Sequence, residues 1–123
     1  MFVATLVMTI LLLIEVVPSA VVNLTRAQAG LTRLDKLTRL GVLQGRNMWV
    51  VTVLGVLHSL GIIGVLVGLG VPLAGVGGAA VETGAFGWIL LRQLRAGDRG
   101  RELFAYGLFT SMALVVLVLN ALR

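Results

Sequence analysis

The chain has 123 residues, of which 59% are hydrophobic and only 12% charged, with a net charge of +5 and no cysteine. A water-soluble surface needs about 25% charged residues, so lipid must replace the missing polar surface, and the length admits one compact bundle of spans of roughly 20 residues each. The absence of cysteine excludes disulfides, thiol redox chemistry and thiolate metal ligands. The positive charge does not mark a nucleic-acid surface, because the basic residues sit in two loops beside apolar runs rather than on one soluble face.

The first apolar run, Phe2 to Leu24, contains a single charge, Glu15. It exceeds the core of a signal peptide and lacks a basic start, so it is expected to stay as a first span over about 2–24. Pro18 removes one backbone donor and predicts a kink just after Glu15. The loop from Arg26 to Asn47 follows, with Arg26, Arg33, Lys36, Arg39 and Arg46 against Asp35. Within it Leu31-Thr32-Arg33-Leu34 recurs as Leu37-Thr38-Arg39-Leu40. Leucines every third residue with basic groups between them predict an amphipathic helix, either lying on the headgroups or covering the end of the bundle.

The second span is expected over about 48–69, with Trp49 at the interface, and the third over 72–92, opened by Pro72 at a first helical position. The turn Gly68-Leu69-Gly70-Val71-Pro72 is so short that these two helices must be antiparallel neighbours. A second basic loop carries Arg92, Arg95, Arg99 and Arg101 with Asp98 and Glu102, and the last span is expected over 103–122. The expected fold is therefore an all-α, integral membrane four-helix bundle forming one domain. Many of the sixteen glycines fall inside the spans. Small residues let membrane helices approach closely. Gly64 and Gly68 on the second span, and Gly77, Ala80 and Gly84 on the third, are the expected smooth faces, for packing within the chain or for a homo-oligomer.

Glu15, His58 and Glu82 fall at roughly the same depth, about 13–15 Å from the basic-loop ends at 1.5 Å per residue. That level is close to the bilayer centre, where an ionised side chain costs on the order of 3 kcal/mol or more. The economical arrangement turns all three inward, so they are the candidate catalytic residues. Thr110 and Ser111 reach the same level on the last span, and Gly55 and Gly78 leave volume beside the polar groups. These four are the candidate ligand-binding positions. A buried His beside a carboxylate can exchange protons with a bound molecule, and a hydrogen-bonded clamp without a ligand is the alternative. No metal site is expected from one His and two carboxylates, and haem would have only His58 to hold it.

The run Gly55-Val-Leu-His-Ser-Leu-Gly61-Ile-Ile-Gly64-Val-Leu-Val-Gly68, then Pro72-Leu-Ala74, the small-residue helix around Glu82 and the loop Leu94-Arg95-Ala96-Gly97-Asp98 resemble the DoxX-like family of small four-helix bacterial membrane proteins. The likeness covers roughly Met48 to Leu122. It departs at Ser19-Ala-Val-Val-Asn23-Leu24, where relatives usually carry a glycine and a lysine-leucine pair, and at His58, where they are often acidic. The resemblance implies a bacterial cytoplasmic-membrane location and a link to quinone-coupled oxidation, and it carries no catalytic residue over. The outline also resembles small multidrug-resistance transporters, in which Glu15 would be the shared proton and cation site. The expected partners are the lipid bilayer, a small lipophilic molecule of quinone or isoprenoid-like type, and a partner membrane subunit or second copy. Nucleic acid is not among them.

Both basic loops follow odd-numbered spans, so they share one side, and the positive-inside tendency places that side in the cytoplasm with both termini outside. Single cysteines at Thr38, Gly70 and Gly100 test the orientation. A membrane-impermeant thiol reagent on intact cells should label position 70 and spare 38 and 100; the reverse pattern means an inverted protein.

Overall fold

The computed structural model describes residues 2–97 and 100–123, so Asp98 and Arg99 of the second basic loop lie outside the described residues. Helix α1 covers Phe2–Thr25, α2 Gln28–Thr38, α3 Met48–Val67, α4 Pro72–Arg95 and α5 Arg101–Ala121, with a 3-10 turn at Val42–Gln44. The chain is all-α, and α1, α3, α4 and α5 are long and apolar enough to cross a membrane. Their outward faces carry Phe2, Val3, Ile14, Leu60, Ile63, Leu73 and Phe104, each at least half exposed. Contiguous apolar surface on this scale suits a bilayer and not water. The four long helices end within three residues of the limits expected for the spans. α1 runs through Pro18 as one helix.

The four long helices form a ring in the order α1, α3, α4, α5, with α5 closing against α1. Adjacency of α3 and α4 follows from the short turn. The closeness of their contact follows from glycine. A Cβ placed on Gly64 would lie 2.6 Å from the Gly78 Cα, and one on Gly78 would lie 2.7 Å from the Val65 nitrogen. Backbone meets backbone there, so neither position accepts a side chain without the helices separating. Gly68 meets Gly75 in the same way nearer the turn.

The small-residue pattern offers Gly77, Ala80 and Gly84 for packing within the chain or for a homo-oligomer, and the first does not occur: both glycines point into open space and Ala80 is exposed. The stripe that faces the bundle is Gly75, Gly78, Ala79 and Glu82. Every face of α4 offers small or apolar residues, so composition alone does not mark which one turns inward.

α2 lies across the basic-loop end with Leu34 and Leu37 buried. Its leucines enter the protein core, so it covers the bundle rather than resting on headgroups. Gly30 sits against Val22 of α1, where an added Cβ would be 3.0 Å away. The helix stops where Arg39 turns left-handed at φ 55° and Gly41 follows at φ 80°. The Gly41 N–H then donates to Asp35 Oδ1 at 2.7 Å. The second copy of the Leu-Thr-Arg-Leu repeat is thus split between helix and loop. At the opposite end, Arg123 donates to the Gly68 and Leu69 carbonyls, both at 2.9 Å, and so binds the carbonyl end of α3.

The glycine contacts generate a paired prediction. Gly64→Val and Gly78→Val should each lower stability in detergent by about 1–3 kcal/mol through overpacking. Gly77→Ala and Gly84→Ala, which meet nothing, should leave it within about 0.5 kcal/mol or raise it slightly. Thermal unfolding of the four variants reads the difference, and equal losses in both sets would place the helix contact elsewhere.

Candidate functional site

α3 and α4 run side by side, so the rise per residue that puts His58 and Glu82 at one depth also puts them in reach. His58 Nδ1 and Glu82 Oε2 lie 2.6 Å apart, and the side chains are 1% and 0% exposed. A separation this short is that of a direct hydrogen bond. The carboxylate lies here because Gly61 has no side chain: a Cβ on Gly61 would be only 2.6 Å from the Glu82 Cγ and Cδ. The other carboxylate oxygen, Oε1, is buried and has no hydrogen-bond partner among the described residues.

The imidazole packs against Phe86, one turn beyond Glu82 on α4, with ring centroids 5.0 Å apart. Phe86 in turn contacts Tyr106 and Phe109 of α5 at 6.1 and 5.6 Å. These rings form an apolar wall on one side of the pair. On the side of the basic loops lies a cavity of about 50 Å³, whose lining includes Ser19, Asn23, Arg33, His58, Phe86 and Tyr106. Glu82 engages Nδ1, so Nε2 is the ring nitrogen left to serve this cavity. The volume holds one or a few waters. It is far below the roughly 300 Å³ at which pockets for drug-sized molecules begin.

Arg33 and Tyr106 stand at the outer end of that cavity. The guanidinium lies 5.2 Å from the centre of the Tyr106 ring and 2.7 Å from Glu102 Oε2. Burial works against the charge on Arg33, but Tyr106, Glu102 and Glu15 more than offset it, and its pKa stands above the ordinary guanidinium value. Arg33 is therefore a fixed positive charge facing the route to His58.

The other candidate residues fall into different places. Glu15 is half-buried on α1 and does not line the cavity, and its carboxylate makes no hydrogen bond or ion pair among the described residues. Its charge is one of those that favour the charged form of Arg33. The Ser111 hydroxyl donates to the Gly107 carbonyl on the exposed side of α5, and Thr110 donates to Tyr106 O on its own helix. Gly55 gives its space to Leu24 of α1, 2.9 Å from where a Cβ would stand, and Gly78 to the backbone of α3. Neither leaves a void. Sequence reasoning misses Arg33, Tyr106 and Gly61 as site residues. Arg33 sits in a basic loop that reads as a topology signal, and Tyr106, the one tyrosine in the chain, is the available clue.

Removing one partner of the pair leaves the other buried and unpaired. His58→Leu and Glu82→Leu should each lower stability by about 1–2 kcal/mol. The double variant should lose less than the sum of the two. Strict additivity in thermal or denaturant unfolding would mean that the two side chains do not interact.

Comparison of the chain with protein-family models, with curated proteins and with solved structures finds no match.

Proposed function

We propose that this multi-pass membrane protein is a proton-exchanging binding protein for a small lipophilic molecule of the quinone or isoprenoid-like class, with the His58–Glu82 pair as the proton-holding group. The observation that carries the reading is a buried His-carboxylate pair joined by a polar cavity to Arg33 and Tyr106. A carbonyl or hydroxyl head reaching that cavity would find donors from Arg33, Tyr106 and the free imidazole nitrogen. A proton gained or lost by such a head has a ready source or sink in the pair, since His and a buried carboxylate exchange protons under mild conditions. The resemblance to the DoxX-like family points the same way, and with the basic loops in the cytoplasm the cavity would communicate with that compartment.

A ring does not fit the closed cavity, so binding requires α2 to move aside. α2 follows α1 after only Arg26 and Ala27, and the half-exposed Arg33–Glu102 pair pins it to α5. An exposed ion pair is worth only about 0–1 kcal/mol. The larger cost of that movement is withdrawing Leu34 and Leu37 from the core. The small volume favours a second reading, in which the pair exchanges protons with water alone. Glu15 lies off the cavity, so this site lends no support to the transporter reading built on it.

Extraction of the purified protein and mass spectrometry of its lipids separate the two readings. Under the first, wild type should carry isoprenoid quinone enriched over the surrounding membrane, and His58→Leu and Glu82→Gln should lose about tenfold of it. No enrichment in wild type would sink the lipophilic-ligand reading. An infrared carboxyl band that shifts on exchange into deuterium oxide and vanishes in Glu82→Gln would then support the water-only site.

A further inference from the structure

The outward face of α4 has a second feature that the His58–Glu82 site does not use. Ala80 and Gly84 are too small to fill the space beside Val53 and Leu57 of α3, and they leave an apolar groove of about 450 Å³ flanked at the basic-loop end by Trp49 and Trp88. From Ala80 to Trp88 it extends about 12 Å at 1.5 Å per residue, most of the roughly 15 Å hydrocarbon depth of one leaflet. Its walls are almost wholly apolar. The cation beside it is Arg92, whose guanidinium lies 6.0 Å from the centre of the Trp88 ring. The Arg92 Nε is buried and makes no hydrogen bond among the described residues. Arg92 stands in the last turn of α4, level with Trp49 at the start of α3, where interfacial aromatics and lipid headgroups meet.

We propose that this groove is a binding site for one anionic phospholipid, with an acyl chain along Ala80 and Gly84 and the phosphate on Arg92. Charge selects the occupant. An apolar trough with a cation at its mouth complements a molecule that is apolar along its length and negative at one end. A second copy of the chain seated here in parallel would instead bring its own Arg92 to the same level, positive against positive. A lipid carries the opposite sign. The site is independent of the His58–Glu82 pair and stands or falls separately from it.

Native mass spectrometry of the full-length protein in detergent, titrated with phosphatidylglycerol or phosphatidylcholine of identical chains, tests the site. Wild type should bind the first phosphatidylglycerol about fivefold more tightly than phosphatidylcholine, the effect of roughly one interfacial cation. Arg92→Gln should bring the ratio near one, Arg92→Lys should retain most of it, and Arg95→Gln, one turn on and exposed, should leave it unchanged. Gly84→Leu fills open space, so it should melt like wild type while weakening both lipids. Equal affinity of wild type for the two lipids would overturn the proposal. So would a loss in Arg95→Gln as large as in Arg92→Gln, since the preference would then belong to diffuse charge. A wild-type dimer that Gly84→Leu converts to monomer would assign the groove to a second copy and overturn it as well.

Discussion

The bare backbone contact between α3 and α4 governs the rest of the molecule. In a bilayer no hydrophobic force draws two helices together, so association depends on how closely their backbones can pack and on polar groups that find partners. Gly64 against Gly78 and Gly68 against Gly75 supply the first. His58 and Glu82 supply the second, about one turn further from the short loop, where the interval between the helices is just wide enough for a carboxylate because Gly61 is opposite. The glycines and the polar pair are one construction. Widening the seam would pull the pair apart, and removing one member of the pair would leave a buried charge or dipole in the seam.

Around that seam the remaining elements decide what can reach it. α5 contributes the Tyr106 and Phe109 rings, which with Phe86 keep lipid from the imidazole. α1 adds Ser19 and Asn23, and α2 adds Arg33, so the polar approach lined by described residues comes from the basic-loop end. At the opposite end Arg123 is bound to the carbonyls of the α3–α4 turn, and Asn120 packs onto Gly75. The pair thus sits in a structure polar at one entrance and tied shut at the other. That asymmetry fits the proposed exchange of protons with one side of a membrane.

The two faces of α4 show how little separates packing from recognition in lipid. Gly75 and Gly78 receive other helices and are filled by them. Gly77 and Gly84, two and six residues on from Gly75 and Gly78, receive nothing from this chain. In water an open apolar face of this kind would drive aggregation, but in a bilayer acyl chains cover it. Whether such a face is generic or selective then turns on the polar group at its mouth, and the group proposed here is Arg92.

The sequence by itself determined that the chain belongs in a bilayer, how many helices are long enough to cross it, and that α3 and α4 are antiparallel neighbours. It also set the depth of every polar residue, because axial position follows from counting at a fixed rise per residue. His58 and Glu82 fall at one level on that count alone. Rotation about each helix axis is another matter. A soluble helix announces its buried face through alternation of apolar and polar residues, but a membrane helix is apolar all round, and that signal is lost. Tertiary structure alone decided that Gly75 and Gly78 face the bundle while Gly77 and Gly84 face outward, that His58 meets Glu82 and not Glu15, and that Ser111 turns away. It alone brought Arg33, forty-nine residues before Glu82, over Tyr106 at the mouth of the cavity. Depth is a property of one helix and can be read along the chain; facing is a property of pairs of helices, fixed only when their backbones come into contact.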